Sequence, residues 1–142
     1  MSEKLKPFIW IDNNIEEVFA FYKSVFKDAK IISQNSFTGT IEIFGQNLLF
    51  LNGGPMFKLT TAFSLMIDCK NQEETDYYWD ALTRDGKESH CGWCEDKYGV
   101  TWQVTPSELV ELLSHPDKEK AQYAHNAMMK MGKIIIKDLY PH

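Results

Sequence analysis

CGWCEDKYGVTWQVTP, residues 91–106, is the stretch that decides how this chain folds. Asp96-Lys97-Tyr98-Gly99 has the Asp and Gly of a tight turn. β-prone runs flank it at 89–94 and 100–105, so the stretch predicts a hairpin. Gln103 falls on the alternating second strand. Thr105 then reads as a helix cap, with Pro106 at the first helical position and Glu108 closing a capping box. Leu109, Val110, Leu112 and Leu113 continue as an apolar stripe, which His115-Pro116 breaks. A further helix from near Asp117 places Ala121, Ala124, Met128 and Met131 on one face. Ile134-Ile135-Ile136 must dock on the body or on a second subunit, because an exposed apolar run invites aggregation.

Upstream, the chain repeats itself. Trp10-Ile11-Asp12 returns as Met66-Ile67-Asp68, at an offset of 56. Glu16-Glu17 then returns as Glu73-Glu74, Phe21-Tyr22 as Tyr78-Trp79, Val25 as Leu82, Asp28 as Asp85 and Lys30 as Lys87, all at an offset of 57. A duplicated strand–helix unit explains the spacing. In the first copy Ile15, Val18, Phe19, Tyr22, Val25 and Phe26 share one helical face, with Asn14 as cap and Glu17 in the capping-box position. In the second copy Asn71 caps, Glu74 answers it, Thr75, Tyr78, Trp79 and Leu82 form the stripe, and Gly86 stops the helix. Strands are expected at 6–11, 31–37, 40–44 and 47–52, punctuated by Gly39, Gly45 and Gly53-Gly54. In the second copy they are expected at 62–67, 89–94 and 100–105. The pattern is βαβββ followed by βαβ(β)β, with one strand of the second copy short or missing. Runs of strands within each copy give an α+β class and argue against a doubly wound parallel sheet.

The 142 residues fit one domain, with module one at about 6–55, module two at about 60–105 and a helical tail at 106–142. The net charge of −5 argues against nucleic acid and against an anionic membrane surface. No apolar run approaches the roughly 20 residues a membrane helix needs. MSEKLKPF lacks an apolar signal-peptide core, so a cytoplasmic setting is expected. Cys69, Cys91 and Cys94 then read as reduced thiols. Cys91-Gly92-Trp93-Cys94 sits on an expected strand, which would turn the two thiols to opposite faces and suits neither chelation nor a disulfide.

A duplicated βαβββ module resembles the vicinal-oxygen-chelate superfamily of glyoxalases, bleomycin-resistance proteins and dioxygenases. Within it the chain is similar to the PhnB-like branch, labelled 3-demethylubiquinone-9 3-methyltransferase. The matching stretches are PFIWIDNNIEEVFAFYKSVF (7–26), FSLMIDCKNQEETDYYWDAL (63–82) and CGWCEDKYGVTWQVTP (91–106). The tail AHNAMMKMGKIIIKDL (124–139) resembles the family's closing helix. The label implies methyl transfer, yet the chain has no strand–glycine loop–helix unit to hold a nucleotide-like cofactor. The superfamily's metal positions fall on Lys6 or Pro7, on Ala62, near Phe50 to Asn52, and on Gln103. That is a degraded ligand set, so no metal and no other cofactor is expected.

What the resemblance implies instead is a concavity lined by alternating strand residues. Phe8 and Trp10 face in, while Ile9 and Ile11 pack against the helix. Ser64, Met66, Thr101 and Gln103 face in, Trp102 lies under a helix, and His90 and Trp93 complete the candidate set. Aromatic walls with a few polar groups suit a small, partly apolar organic ligand. Three functions fit this set. They are a metal-free protein of unassigned activity, a sequestering protein like the drug-resistance members, and a metal-dependent lyase, isomerase or dioxygenase. A homodimer is implied by the superfamily and by the apolar tail.

Overall fold

Alternation and helical spacing sort the first sixty residues into β1 (Phe8–Ile11), α1 (Ile15–Val25), β2 (Lys30–Gln34), β3 (Thr38–Ile43) and β4 (Gln46–Asn52). This computed structural model describes residues 4–141, so residues 1–3 of the N-terminal reading and His142 lie outside it. The chain forms two compact units, one ending at Leu59 and the other beginning at Thr60. In the first unit the sheet order is β1-β4-β3-β2, with β1 parallel to β4 and the other neighbours antiparallel. The expected stripe of α1 is buried in full, from Ile15 to Phe26. It meets Ile9, Ile11, Ile41, Ile43, Leu48 and Phe50 from the strands in one core. Each such side chain contributes about 1.5–3 kcal/mol by leaving water. Phe19 stands edge-on to Phe50 at 5.4 Å.

Three local expectations change in this unit. Asn14 precedes α1 but its side chain makes no cap bond, and its Oδ1 is buried without a partner. Asn52, from the end of β4, caps instead, its Oδ1 accepting from the Ile15 amide at 3.1 Å. β2 stops at Gln34 because Asn35 Oδ1 accepts from the amides of both Phe37 and Thr38, closing a turn where a strand was expected. Gly39 is no punctuation mark. It lies inside β3 beneath Phe19, where a Cβ would come within 2.7 Å of the ring.

The second unit repeats the plan with β5 (Leu65–Cys69), α2 (Gln72–Thr83), β6 (Lys87–Glu88), β7 (Trp93–Glu95) and β8 (Thr101–Pro106). Its order, β5-β8-β7-β6, has the same topology as the first sheet, which bears out the repeat. The expected short strand is β6, with two residues. Asn71 caps α2 as expected, accepting from the Glu74 amide at 2.8 Å. Thr75, Trp79 and Leu82 are buried, and Tyr78 is half-buried. The strand expected at 62–67 starts only at Leu65.

The run at 89–94 does not form one strand. Cys91 and Gly92 adopt positive φ, 61° and 84°, and their amides donate to the carbonyls of Met131 and Gly132, each at 2.8 Å. Cys91 is therefore a loop residue, and of the Cys91–Cys94 pair only Cys94 lies on a strand.

Beyond β8 come α3 (Ser107–Leu113), α4 (Lys118–Met128) and a 3₁₀ turn (Ile136–Leu139). Thr105 and Pro106 stay in β8, so α3 begins one residue later than expected, at Ser107. Glu108 accepts from the Tyr140 hydroxyl rather than closing a capping box. Leu109 and Leu112 enter a small core with Ala124, Ile134 and Leu139, while Val110 and Leu113 stay exposed. Asp117 caps α4 through the Glu119 amide at 3.0 Å. Ile134 docks on its own unit, fully buried.

Candidate functional site

The turn at 96–99 positions the second sheet. Asp96 is 3 % exposed, and its Oδ1 accepts from the amides of Tyr98 (2.8 Å) and Val100 (3.1 Å). Its Oδ2 accepts from Trp102 Nε1 at 2.9 Å. One carboxylate thus fixes both the hairpin and the ring beneath β8. With Trp102 and Val104 buried on one face, Thr101 and Gln103 must point to the other.

Register shows what shares that second face. Met66 and Trp93 flank Gln103 as its partners on β5 and β7. Thr101 lies opposite Glu95, and Lys87 lies opposite Glu95 on its other side. Gln103 Nε2 donates to Ser64 Oγ at 2.9 Å, which ties the middle of β8 to the residue before β5. Among the described residues the Gln103 carbonyl oxygen has no other partner. Met66 is 54 % exposed beside it, and Thr101 Oγ1 is buried with no protein partner. Ser64, Met66, Trp93, Thr101 and Gln103 therefore form one amphipathic surface. Glu95 belongs to the same face and was missed from the sequence, although its spacing of two from Trp93 carried the signal. His90 is off the strand, exposed in the loop before β7.

On the first sheet Ile9 and Ile11 are buried, while Phe8 is 58 % exposed and Trp10 half-buried. Trp10 Nε1 donates to the Gly54 carbonyl at 2.8 Å, and its ring meets Phe57 edge-on at 4.9 Å. Phe57 is the residue that alternation could not supply, because it lies outside the strands.

The positions that the superfamily would use for a metal do not fit one. Asn52 is spent, with Oδ1 on the Ile15 amide and Nδ2 donating to the Ser36 carbonyl at 3.2 Å. Pro7 and Ala62 have no donor atom in their side chains, so Gln103, with its oxygen still free, finds no second ligand at these positions. Among the described residues no group of three His, Cys, Asp or Glu side chains gathers at metal-binding distance. The thiols are also separated by environment. Burial pushes Cys69 up to about 11 and Cys94 up to about 12, so both stay protonated at neutral pH. Cys91 is half-buried, with its sulfur 3.8 Å from Met129 Sδ.

Comparison with known proteins agrees with this fold. A family model described as 3-demethylubiquinone-9 3-methyltransferase matches residues 3–105. A solved structure from Bacillus cereus, labelled a PhnB protein and 3-demethylubiquinone-9 3-methyltransferase, is 27 % identical with a TM-score of 0.66, over 73 % of this chain and 99 % of that one. The fosfomycin resistance protein FosX from Listeria monocytogenes, solved with Mn(II) and sulfate, is 16 % identical with a TM-score of 0.55, over 72 % and 88 %. A glyoxalase/bleomycin resistance protein/dioxygenase from Alicyclobacillus acidocaldarius is 12 % identical with a TM-score of 0.51, over 71 % and 88 %. The last two likenesses are of fold. No curated protein matches. The family match stops at 105, and the tail at 124–139 lies beyond the matched region. On residues 3–105 the chain belongs to the 3-demethylubiquinone-9 3-methyltransferase family, the PhnB-like branch of the glyoxalase, bleomycin-resistance and fosfomycin-resistance superfamily.

Proposed function

We propose that this protein binds a small, partly apolar organic molecule without a metal, and that binding rather than turnover is its activity. The observation that carries this reading is the Gln103–Ser64 pair on the open face of the second sheet. A carboxamide held by one hydrogen bond, with its carbonyl oxygen unspent and Met66 and Trp93 alongside, can fix the orientation of an apolar ligand that donates a hydrogen bond. Thr101 adds a second polar contact on the same face of the second sheet. An acid–base site would need more. His90, the one imidazole in the candidate set, is exposed in a loop, and Ser64 Oγ accepts from the Gln103 amide, which is no base.

The family's methyltransferase label is not taken as the mechanism. The junctions before α1 and α2 are built on asparagines, Asn13-Asn14 and Asn71, and β8 passes into α3 at Thr105-Pro106, where a cofactor-cradling turn would use glycines. The reading also takes the two units as halves of one cytoplasmic domain that works as a homodimer. Among the described residues no helix is long and apolar enough to cross a membrane. Screening small aromatic compounds by ligand-observed NMR tests the proposal. Stoichiometric binding that survives EDTA and weakens about tenfold in Gln103→Leu supports it. Binding that appears only with added metal, or a Gln103→Leu variant with unchanged affinity, would remove it.

A further inference from the structure

The tail beyond residue 105 does more than cover the second unit. Together with the start of α2 it borders an open, solvent-facing cavity of about 520 Å³, lined by Lys70, Gln72, Asp76 and Glu108 and by the tail residues Lys133 and Ile135–Lys137. That volume lies within the usual range for small-molecule sites. The cavity shares no residue with the strand face described above.

Its construction is specific. Gln72 holds the tail like an extra strand, its Nε2 donating to the Ile134 carbonyl at 2.9 Å and its Oε1 accepting from the Ile136 amide at 2.7 Å. Ile134 is thereby turned into the core, and Ile135 and Ile136 stay half-buried along the cavity wall. The polar part of the wall is biased toward positive charge. Lys133 is neutralised by Asp76 at 3.0 Å, and among the described residues Lys70 and Lys137 have no carboxylate partner. Against them stands Glu108, which accepts from the Tyr140 hydroxyl. The balance is one net positive charge in a chain whose overall charge is −5.

We infer that this cavity is a binding site for a small amphipathic carboxylate. Its hydrocarbon chain would lie on Ile135 and Ile136, and its head would sit between Lys70 and Lys137. Complementarity decides the class. An amine of the same shape would meet two unpaired ammonium groups, and a neutral alcohol would gain the apolar wall but no ion pair.

Calorimetric titration of the full chain with octanoate, octylamine and 1-octanol tests this directly. The expected result is one octanoate per chain, bound about tenfold or more tighter than either analogue. The affinity should fall about tenfold in a Lys70→Ala/Lys137→Ala variant and stay unchanged in Gln103→Leu, which alters the other face. Circular dichroism of the double variant confirms that it folds. If octylamine or octanol binds as tightly as octanoate, if the double variant keeps wild-type affinity, or if octanoate fails to bind at about 1 mM, the assignment is wrong. A loss of octanoate binding in Gln103→Leu would also overturn it, moving the ligand to the strand face.

Discussion

The two units share a topology but are held together differently. In the first, the β3–β4 hairpin turns on two left-handed residues, Phe44 at φ 52° and Gly45 at φ 78°, with the Phe44 ring edge-on to Phe26 at 5.5 Å. In the second, the corresponding β7–β8 hairpin is knotted by a buried side chain, Asp96. The first unit caps its helix from β4, through Asn52. The second caps from the residue just before the helix, Asn71. Where Trp10 pairs with Leu51 on β4, Met66 pairs with Gln103 on β8. Duplication thus preserved the strand order while the stabilising contacts and the polar chemistry diverged. The second copy concentrates both the buried polar groups and the candidate ligand contacts.

The sharpest way to break this comparison is Asp96→Ala. It strips acceptors from three donors, Trp102 Nε1 among them, and should cost about 3 kcal/mol or more in urea unfolding. Hydrogen exchange should rise across β7 and β8 and leave the first unit unchanged. Equal loosening of both units would contradict the division of roles.

Alkaline pH should weaken the second unit selectively. The folded thiols of Cys69 and Cys94 sit near 11 and 12 against an ordinary value of 9.0, because burial disfavours the thiolate. The unfolded chain therefore loses protons first as pH rises. Stability is complete below about 9 and is lost through 11–12, by about 2 kcal/mol for each thiol at pH 11. Urea midpoints between pH 8 and 11 should show this fall, and a flat profile would place the thiols in contact with water. Below pH 9, a maleimide should label Cys91 well before the other two.

The helix caps come next. Asn52→Ala and Asn71→Ala should each cost about 1 kcal/mol, whereas Asn14→Ala should be neutral because its oxygen is already unpaired. A measurable loss in Asn14→Ala would restore the local cap. The smallest effect belongs to Asp76→Asn. Hydrogen bonds from Gln72 and Lys133 hold the Asp76 carboxyl below its usual range, so its contribution fades as pH falls through that lowered value. The pair is largely exposed, and thermal melts at pH 7 should move by the equivalent of about 0.5 kcal/mol or less.

The sequence made the helix stripes, the repeat and the face alternation of β8 legible, because each depends on local period. It did not show Asn52 as a cap, since that contact spans 37 residues. Nor did it show the break at Cys91-Gly92, where a run with strand-like side chains is bent by bonds to Met131 and Gly132. The Gln103–Ser64 pair is 39 residues apart, so alternation could place both on one face but could not join them. The cavity wall at Ile135 and Ile136 is further from view, because the Gln72 side chain that holds it is 62 and 64 residues away.

That grip has a consequence for how the molecule is made. Gln72 waits for partners 62 and 64 residues downstream, whereas Asn52 meets Ile15 across 37. Longer closures are slower to form. During synthesis the first unit can finish its own contacts early. The second stays open until Ile136 has been added, so chaperones would find their exposed surface there.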